Sequence, residues 1–234
     1  MKNKIIGIIG GMGPQASAEL YRLLIEGAKR EYGARNNDDF PEILIDSVPV
    51  PDFLSYTREM EKAAVMLEDR TRRLTGYGAS IISIACNTAC LLIDRLQQQT
   101  SVPFTSVVDE VARKVSFHHT HVLLLASPTS LRLGLYQKAL SRYGVSYALP
   151  SGKYYKELEY IIRGVIEGAK RDCLTKKLVR IVEKSIEKQS VDGIVLGCTE
   201  LPLVFPAQYR LPVYNSLSIL AESLLKRYYN KEVV

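Results

Sequence analysis

Ser80-Ile81-Ile82-Ser83-Ile84-Ala85-Cys86-Asn87-Thr88-Ala89-Cys90 is the stretch that decides how the whole chain reads. Its first half is uncharged and rich in isoleucine, the pattern of a strand buried on both faces of a parallel sheet. Cys86 follows, then Asn-Thr and a helix-like run. The cysteine therefore falls at the carboxyl end of a strand, where open α/β sheets bind their ligands. The same arrangement returns 112 positions later (198 − 86), in Ile194-Val195-Leu196-Gly197-Cys198-Thr199-Glu200-Leu201.

Upstream, Ile5-Ile6-Gly7-Ile8-Ile9 reads as another two-face-buried strand and runs into Gly10-Gly11-Met12-Gly13-Pro14. The glycines permit a tight turn close to a ligand, and Pro14 suits the first position of a helix. Leu20, Leu23, Leu24, Gly27 and Ala28 mark one face of that helix. Glu42 to Asp46 is a second strand, followed by a proline-stiffened loop from Ser47 to Phe53. A helix over about 58–74 leads to the Cys86 strand. A helix over 87–98, a short strand over 103–108 and a helix to 116 follow.

His121 to Ala126 opens a second series, with Ser127 as a helix cap and Pro128 at the first helical position. Helices are expected over 131–143, 153–167 and 174–188, with Leu174, Leu178, Ile181 and Val182 on one side of the last. After the Cys198 strand comes a proline-bearing stretch. An amphipathic helix with Leu217, Leu220, Ala221, Leu224, Leu225 and Tyr228 on one face closes the sequence. Strand–helix alternation of this kind signals a doubly wound parallel sheet. From Gly10 to Cys86 is 76 residues (86 − 10), and from Ala126 to Cys198 is 72 (198 − 126). That correspondence of order predicts an α/β fold of two pseudo-symmetric doubly wound parallel-sheet lobes, with the active site in the cleft between them. The first lobe is expected to span 1–109 and to be joined by 213–234, because its sheet otherwise lacks a covering helix. The second spans 110–212.

At 234 residues the chain can bury a substantial core. Its 47% hydrophobic and 24% charged residues are those of a globular protein. No apolar run approaches a membrane span, and the amino terminus lacks the long apolar region of a signal peptide, so a cytoplasmic protein is expected. The net charge of +6 comes from lysines and arginines scattered over helices, not from the dense basic run of a nucleic-acid binder. A small anionic substrate fits that modest positive field better. Four cysteines (Cys86, Cys90, Cys173, Cys198) are no disulfide framework. No metal site is expected either: His118, His119 and His121 have no thiol or carboxylate beside them in sequence and read as a polar loop before a strand.

Two chemistries compete for these motifs. Gly11-x-Gly13-x-x-Ala16 matches the dinucleotide fingerprint, but the acidic residue expected about 20 positions on is missing. Asp46 comes 33 positions after Gly13 (46 − 13). A substrate-facing turn is the better reading. Cys90 and Cys173 lie on expected helices and read as core packing. Cys86 and Cys198 differ, because each precedes a Thr-containing turn whose N–H groups favour a thiolate. A nucleophilic cysteine needs a histidine base, and no histidine here has a comparable strand-end position. Two thiols on opposite faces of a substrate suit a different chemistry. One removes a proton from a stereocentre and the other delivers one, which is racemisation.

Gly10-Gly11-Met12-Gly13-Pro14, Ala85-Cys86-Asn87-Thr88-Ala89, Glu167-Gly168-Ala169-Lys170 and Gly197-Cys198-Thr199-Glu200 resemble, in order and spacing, the aspartate racemase branch of the aspartate/glutamate racemase family. The resemblance implies two α/β lobes, independence of pyridoxal phosphate and metals, and a homodimer. It makes Cys86 and Cys198 the catalytic acid/base pair, with Met12, Asn87, Thr88, Thr199, Glu200 and Lys170 at the substrate. Asp52 and Thr129 complete the candidate substrate-binding set. Aspartate is the expected substrate, with glutamate or a broader range as the nearest variants. Other two-lobed relatives (hydantoin racemases, arylmalonate decarboxylases, maleate isomerases) and a catalytically silent ligand-binding homologue remain alternatives. One departure bears on specificity. The family's Pro-Asp-Arg loop reads Pro51-Asp52-Phe53 here, and an aromatic ring cannot make arginine's bidentate carboxylate contact. Cys90 also stands where many relatives carry histidine.

Overall fold

The structure is a computed structural model and describes residues 4–52 and 59–229. The first series of elements is β1 (Ile5–Gly10), α1 (Pro14–Tyr32), β2 (Glu42–Ser47), α2 (Met60–Gly76), β3 (Ile81–Ile84), α3 (Ile93–Gln97), β4 (Phe104–Thr105) and α4 (Val107–Ser116). Then come β5 (His121–Ala126), α5 (Pro128–Leu133), α6 (Leu135–Arg142), β6 (Ser146–Ala148), α7 (Tyr155–Glu167) and α8 (Arg171–Ile186). The chain continues through β7 (Gly193–Gly197), α9 (Leu201–Val204), β8 (Val213–Asn215) and α10 (Ser216–Tyr229). Among the described residues no helix is long and apolar enough to cross a membrane.

The strands form two four-stranded sheets, ordered β2-β1-β3-β4 and β6-β5-β7-β8, with every pairing parallel. β3 and β7 are buried throughout, and β1 and β5 are buried beyond their first residue, because helices cover both faces of the central strands. β2 has only exposed and half-buried residues, as an edge strand can. The described residues divide into two compact units. One holds those up to Pro51, Glu59–Val107 and those from Leu217 on; the other holds Asp52 and Val108–Ser216.

In the first unit α10 lies against α1. A Cβ built on Gly27 of α1 would meet Leu225 Cδ1 at 2.6 Å, so the helices are in close contact. Leu217, Leu220, Leu224 and Leu225 are buried, each worth roughly 1.5–3 kcal/mol of transfer free energy. The helix end is pinned as well. Tyr229 stacks on Tyr32 at 4.3 Å and donates to the Asp39 carbonyl at 2.6 Å, while the Glu42 N–H donates to Tyr228 Oη at 3.3 Å. In the second unit, Leu158, Ile161 and Ile162 of α7 and Leu174, Leu178 and Ile181 of α8 close over Leu123, Leu125, Ile194 and Leu196.

Several local expectations need correction. β6 is a strand that the sequence pattern does not reveal; at three residues it is too short to show a period. The strand expected over 103–108 is only Phe104–Thr105, because α4 already starts at Val107. The helix expected over 131–143 starts at Pro128 and is cut in two at Gly134, whose φ of +70° ends α5 in a left-handed cap. The segment after Asn87 is a 3-10 helix, Thr88–Leu92, followed by α3. β8, expected in the first lobe with the C-terminal segment, hydrogen-bonds to β7 in the second sheet. Cys173 is exposed and not core: it precedes Leu174 by one residue, a rotation of about 100° off the buried stripe of α8.

A carboxylate joins α8 to the loop after α9. Tyr209 donates to Glu183 Oε1, and Arg210 pairs with Glu183 Oε2 at 2.5 Å. The tyrosine and arginine bonds hold the Glu183 carboxyl below its ordinary value. Burial first, and the carboxylate second, push the Tyr209 phenol up to about 12. A depressed acid adds stability above its unfolded pKa, which is lost as pH falls through the folded value. A raised phenol adds stability below its unfolded pKa, which is lost as pH rises through about 12. Both contributions are screened by solvent, so the expected loss is modest, about 1 kcal/mol at either extreme. Urea midpoints should therefore fall below about pH 4 and above about pH 10, more steeply in the parent than in Tyr209→Phe. Parallel curves for the two proteins would mean that the trio contributes nothing.

Candidate active site

In a sheet ordered 2-1-3-4 the chain reverses direction of travel between the first and third strands, and the crevice at their carboxyl ends is the natural ligand site. Both sheets have that order, so each unit has one such point. β1 and β3 flank it in the first unit, β5 and β7 in the second. The final ladder pairs are Ile9↔Ile84 and Ala126↔Gly197. Continuing each register sets Cys86 opposite Gly11 and Cys198 opposite Ser127. The two cysteines thus occupy matching positions, each immediately beyond a central strand.

The first unit's edge is built by the turn after β1. Gly11 has φ +91°, and its N–H donates to Ser17 Oγ of α1 at 3.0 Å. Val48 N–H donates to the Gly10 carbonyl at 3.0 Å. A Cβ on Gly11 would meet Val48 N at 2.5 Å and Val48 O at 2.6 Å, so the turn lies backbone against backbone on the segment after β2. Met12 is half-buried on this turn. Beyond β3, Cys86 is 8% exposed, and Asn87 and Thr88 are buried at the start of the 3-10 helix. Cys90 packs in the same turn, with its thiol donating to the Cys86 carbonyl at 3.6 Å and its N–H to the Asn87 carbonyl at 3.1 Å. Cys90 is thereby a structural residue of the turn that carries Cys86, in keeping with its reading as core packing.

In the second unit Cys198 is 3% exposed, its thiol donating to Glu200 Oε2 at 3.0 Å. Thr199 Oγ1 donates to the same oxygen, also at 3.0 Å, and Thr199 and Glu200 are both buried. Glu200 thus contacts the thiol itself, a partnership that sequence spacing does not predict. Across the crevice, Ser127 caps α5 by accepting from Ser130 N–H at 3.2 Å, and Thr129 is buried, accepting from Arg132 Nη2 at 3.2 Å. Ser127, Ser130 and Arg132 are not among the expected site residues. The sequence marks Ser127 only as a helix cap, and its register partner is visible only once β5 and β7 are paired. Lys170 is exposed and precedes α8. The first turns of α8 meet the end of α9, where Thr175 Oγ1 donates to the Val204 carbonyl at 2.7 Å.

Asp52 has a partner of its own. Its carboxylate is 2.7 Å from Arg163 Nη1 on α7, and Arg163 also bonds Glu159 at 3.0 Å. Burial lowers the Arg163 pKa, but these two carboxylates outweigh it and hold the guanidinium above its ordinary value. Phe53 lies outside the described residues. The histidines sit at the opposite end of the second sheet: His119 is 3.3 Å from Asp192 and edge-on to Tyr214, and His121 Nδ1 is 2.7 Å from Ser146 Oγ. Among the described residues no group of three or more His, Cys, Asp or Glu side chains could hold a metal ion.

Comparison with known proteins agrees with the fold and with the family resemblance. A family model described as Asp/Glu/Hydantoin racemase matches residues 9–224. The broad specificity amino-acid racemase of Bacillus subtilis strain 168 is 26% identical over 225 residues, covering 96% of this chain and 98% of that protein. Among solved structures, an aspartate racemase homologue from Pyrococcus horikoshii has a TM-score of 0.79 at 29% identity, covering 98% of this chain and 100% of that one. The aspartate racemase of Picrophilus torridus has a TM-score of 0.78 at 25% identity, covering 97% and 94%.

Proposed function

The chain belongs to the Asp/Glu/hydantoin racemase family, and from that premise we propose that it interconverts the L and D forms of an amino acid by two-base proton transfer at the α-carbon. The observation that carries this reading is the matched placement of Cys86 and Cys198, one beyond β3 and one beyond β7. One cysteine acts as thiolate and removes the α-proton; the other acts as thiol and protonates the opposite face. The α-carbanion needs oriented donors, for which Asn87 and Thr88 are the candidates, the Thr199 hydroxyl already donating to Glu200. No pyridoxal phosphate or metal enters this scheme.

The substrate in this reading is a small anionic amino acid, and aspartate is the first candidate, given the likeness to the Picrophilus aspartate racemase and to the Pyrococcus aspartate racemase homologue. The Bacillus relative argues for a wider range, as does Phe53 in place of the family arginine. Asp52, held by Arg163, fits a role in setting its loop better than direct contact with substrate. A cytoplasmic homodimer completes the proposal.

The test is α-proton exchange in heavy water across a panel of L- and D-amino acids, read by mass spectrometry and chiral chromatography. Deuterium should enter at the α-carbon while the enantiomeric excess decays to zero, with aspartate and glutamate among the responsive substrates. Exchange on no member of the panel would sink the reading in favour of a silent binder.

A further inference from the structure

The two strand-end thiols occupy matched positions but have different successors. Cys86 is followed by Asn87-Thr88, Cys198 by Thr199-Glu200. The acid at the second position is engaged with the sulfur: Cys198 Sγ donates to Glu200 Oε2 at 3.0 Å, and Thr199 Oγ1 holds the same oxygen at 3.0 Å. Both residues are 3% exposed, and Cys198 packs within the apolar core of its unit beside Leu196 and Leu201. Among the charged groups of the neighbouring helices, Arg132 of α5 donates to Thr129 Oγ1 at 3.2 Å. Arg163 is bound to Asp52 and Glu159, and Lys170 is exposed.

We propose that Glu200 is a positioning residue that keeps the proton on Cys198, so that the resting enzyme carries its thiol there and its thiolate at Cys86. The inference rests on the two-base reading above. A carboxylate accepting an S–H bond favours the protonated sulfur, and a thiolate formed beside that carboxylate meets a like charge in a desolvated setting. In the forward half-reaction Cys86 thiolate takes the α-proton and Cys198 gives up its own, leaving Cys86 as thiol and Cys198 as thiolate. That second form places two anions side by side, so the free enzyme returns to the first by proton exchange with water. The two enzyme forms are therefore unequal in energy.

The consequence has a specific kinetic form. A racemisation has an equilibrium constant of one, so kcat/KM must be equal in the two directions. Inequality between enzyme forms can appear only as kcat and KM both being larger, by one common factor, for the enantiomer that Cys198 deprotonates. A like-charge neighbour shifts a pKa by a unit or more, so that factor should be about tenfold or greater. In Glu200→Gln it should shrink toward one. A merely structural role for Glu200 would lower both directions alike and leave the factor standing.

Selective alkylation provides a readout that needs neither turnover nor a variant. Limiting iodoacetamide on the parent protein should label Cys86, told apart from Cys90 within tryptic peptide 74–95 by fragment-ion sequencing, well before Cys198 in peptide 189–210; after Glu200→Gln the preference should weaken. The proposal is overturned by prior labelling of Cys198 in the parent. An unchanged kinetic factor or unchanged labelling preference in a folded Glu200→Gln protein overturns it too. The labelling order also separates the two ideas: no α-exchange on any amino acid removes the racemase reading, whereas the order tests the Cys198–Glu200 contact directly.

Discussion

Cys86→Ala and Cys198→Ala are each expected to lower racemisation of both enantiomers by about 10²–10⁴-fold, the usual contribution of a positioned acid or base. The two losses should not multiply, because inversion needs both groups in every turnover. Chiral chromatography of timed reactions measures the loss. Deuterium incorporation adds a second, sharper signature. A protein that keeps only Cys86 can still remove and return the α-proton of one enantiomer on one face, so slow exchange with retention should persist for that enantiomer alone. Cys198→Ala should then exchange one enantiomer and Cys86→Ala the other. Normal turnover in either variant refutes the assignment. Both cysteines are small, and the alanine leaves only a sulfur-sized gap, so a large activity loss with little stability loss separates chemistry from packing.

Gly11→Ala is the second large expectation, and its effect falls on stability. At φ +91° an alanine is strained, and the new Cβ lies 2.5 Å from Val48 N and 2.6 Å from Val48 O. Those neighbours are backbone and cannot rotate away, so the turn must lift from the segment after β2. The expected cost is roughly 2–4 kcal/mol, within the range of strained and overpacked sites. For a protein of this size that lowers Tm by roughly 5–15 °C. Gly134→Ala is the control. Its φ is +70°, but the new Cβ meets only Lys138 Cε, at 3.7 Å, so it bears the left-handed strain of roughly 1–2 kcal/mol without the collision. Thermal melts of the two variants should therefore differ. Equal melting points would show that contact with Val48 contributes nothing.

How legible the molecule is in its sequence depends on how each feature is encoded. The central strands β1, β3, β5 and β7 are readable because burial on two faces demands an unbroken apolar run. β6 is not, since three residues such as Ser146-Tyr147-Ala148 carry no period. Gly134 announces a helix break, but Leu131 to Tyr143 has apolar residues on both sides of it, and the continuing stripe masks the stop. The motif cysteines are readable because each ends such a strand. The partners around them are not. Arg163 lies 111 positions beyond Asp52 (163 − 52), and a charge pair of that separation leaves no pattern in either segment. The Cys198–Glu200 bond is local, yet the family resemblance assigns Glu200 to substrate, and a two-residue offset does not say which way a carboxylate turns at the end of a strand.

The packing of α10 against α1 has a consequence for synthesis on the ribosome. The chain emerges from its amino end, so α1, whose Gly27 side meets Leu225, appears early, while α10 emerges only after 110 further residues beyond Val107 (217 − 107). At about 5–20 residues per second that is a wait of roughly 5–20 s. The second unit, nearly contiguous from Val108 to Ser216, is complete before the first can close. The nascent first unit must therefore spend those seconds without the buried leucines of α10, and a chaperone that binds incompletely covered helices would find its target at the Gly27 side of α1.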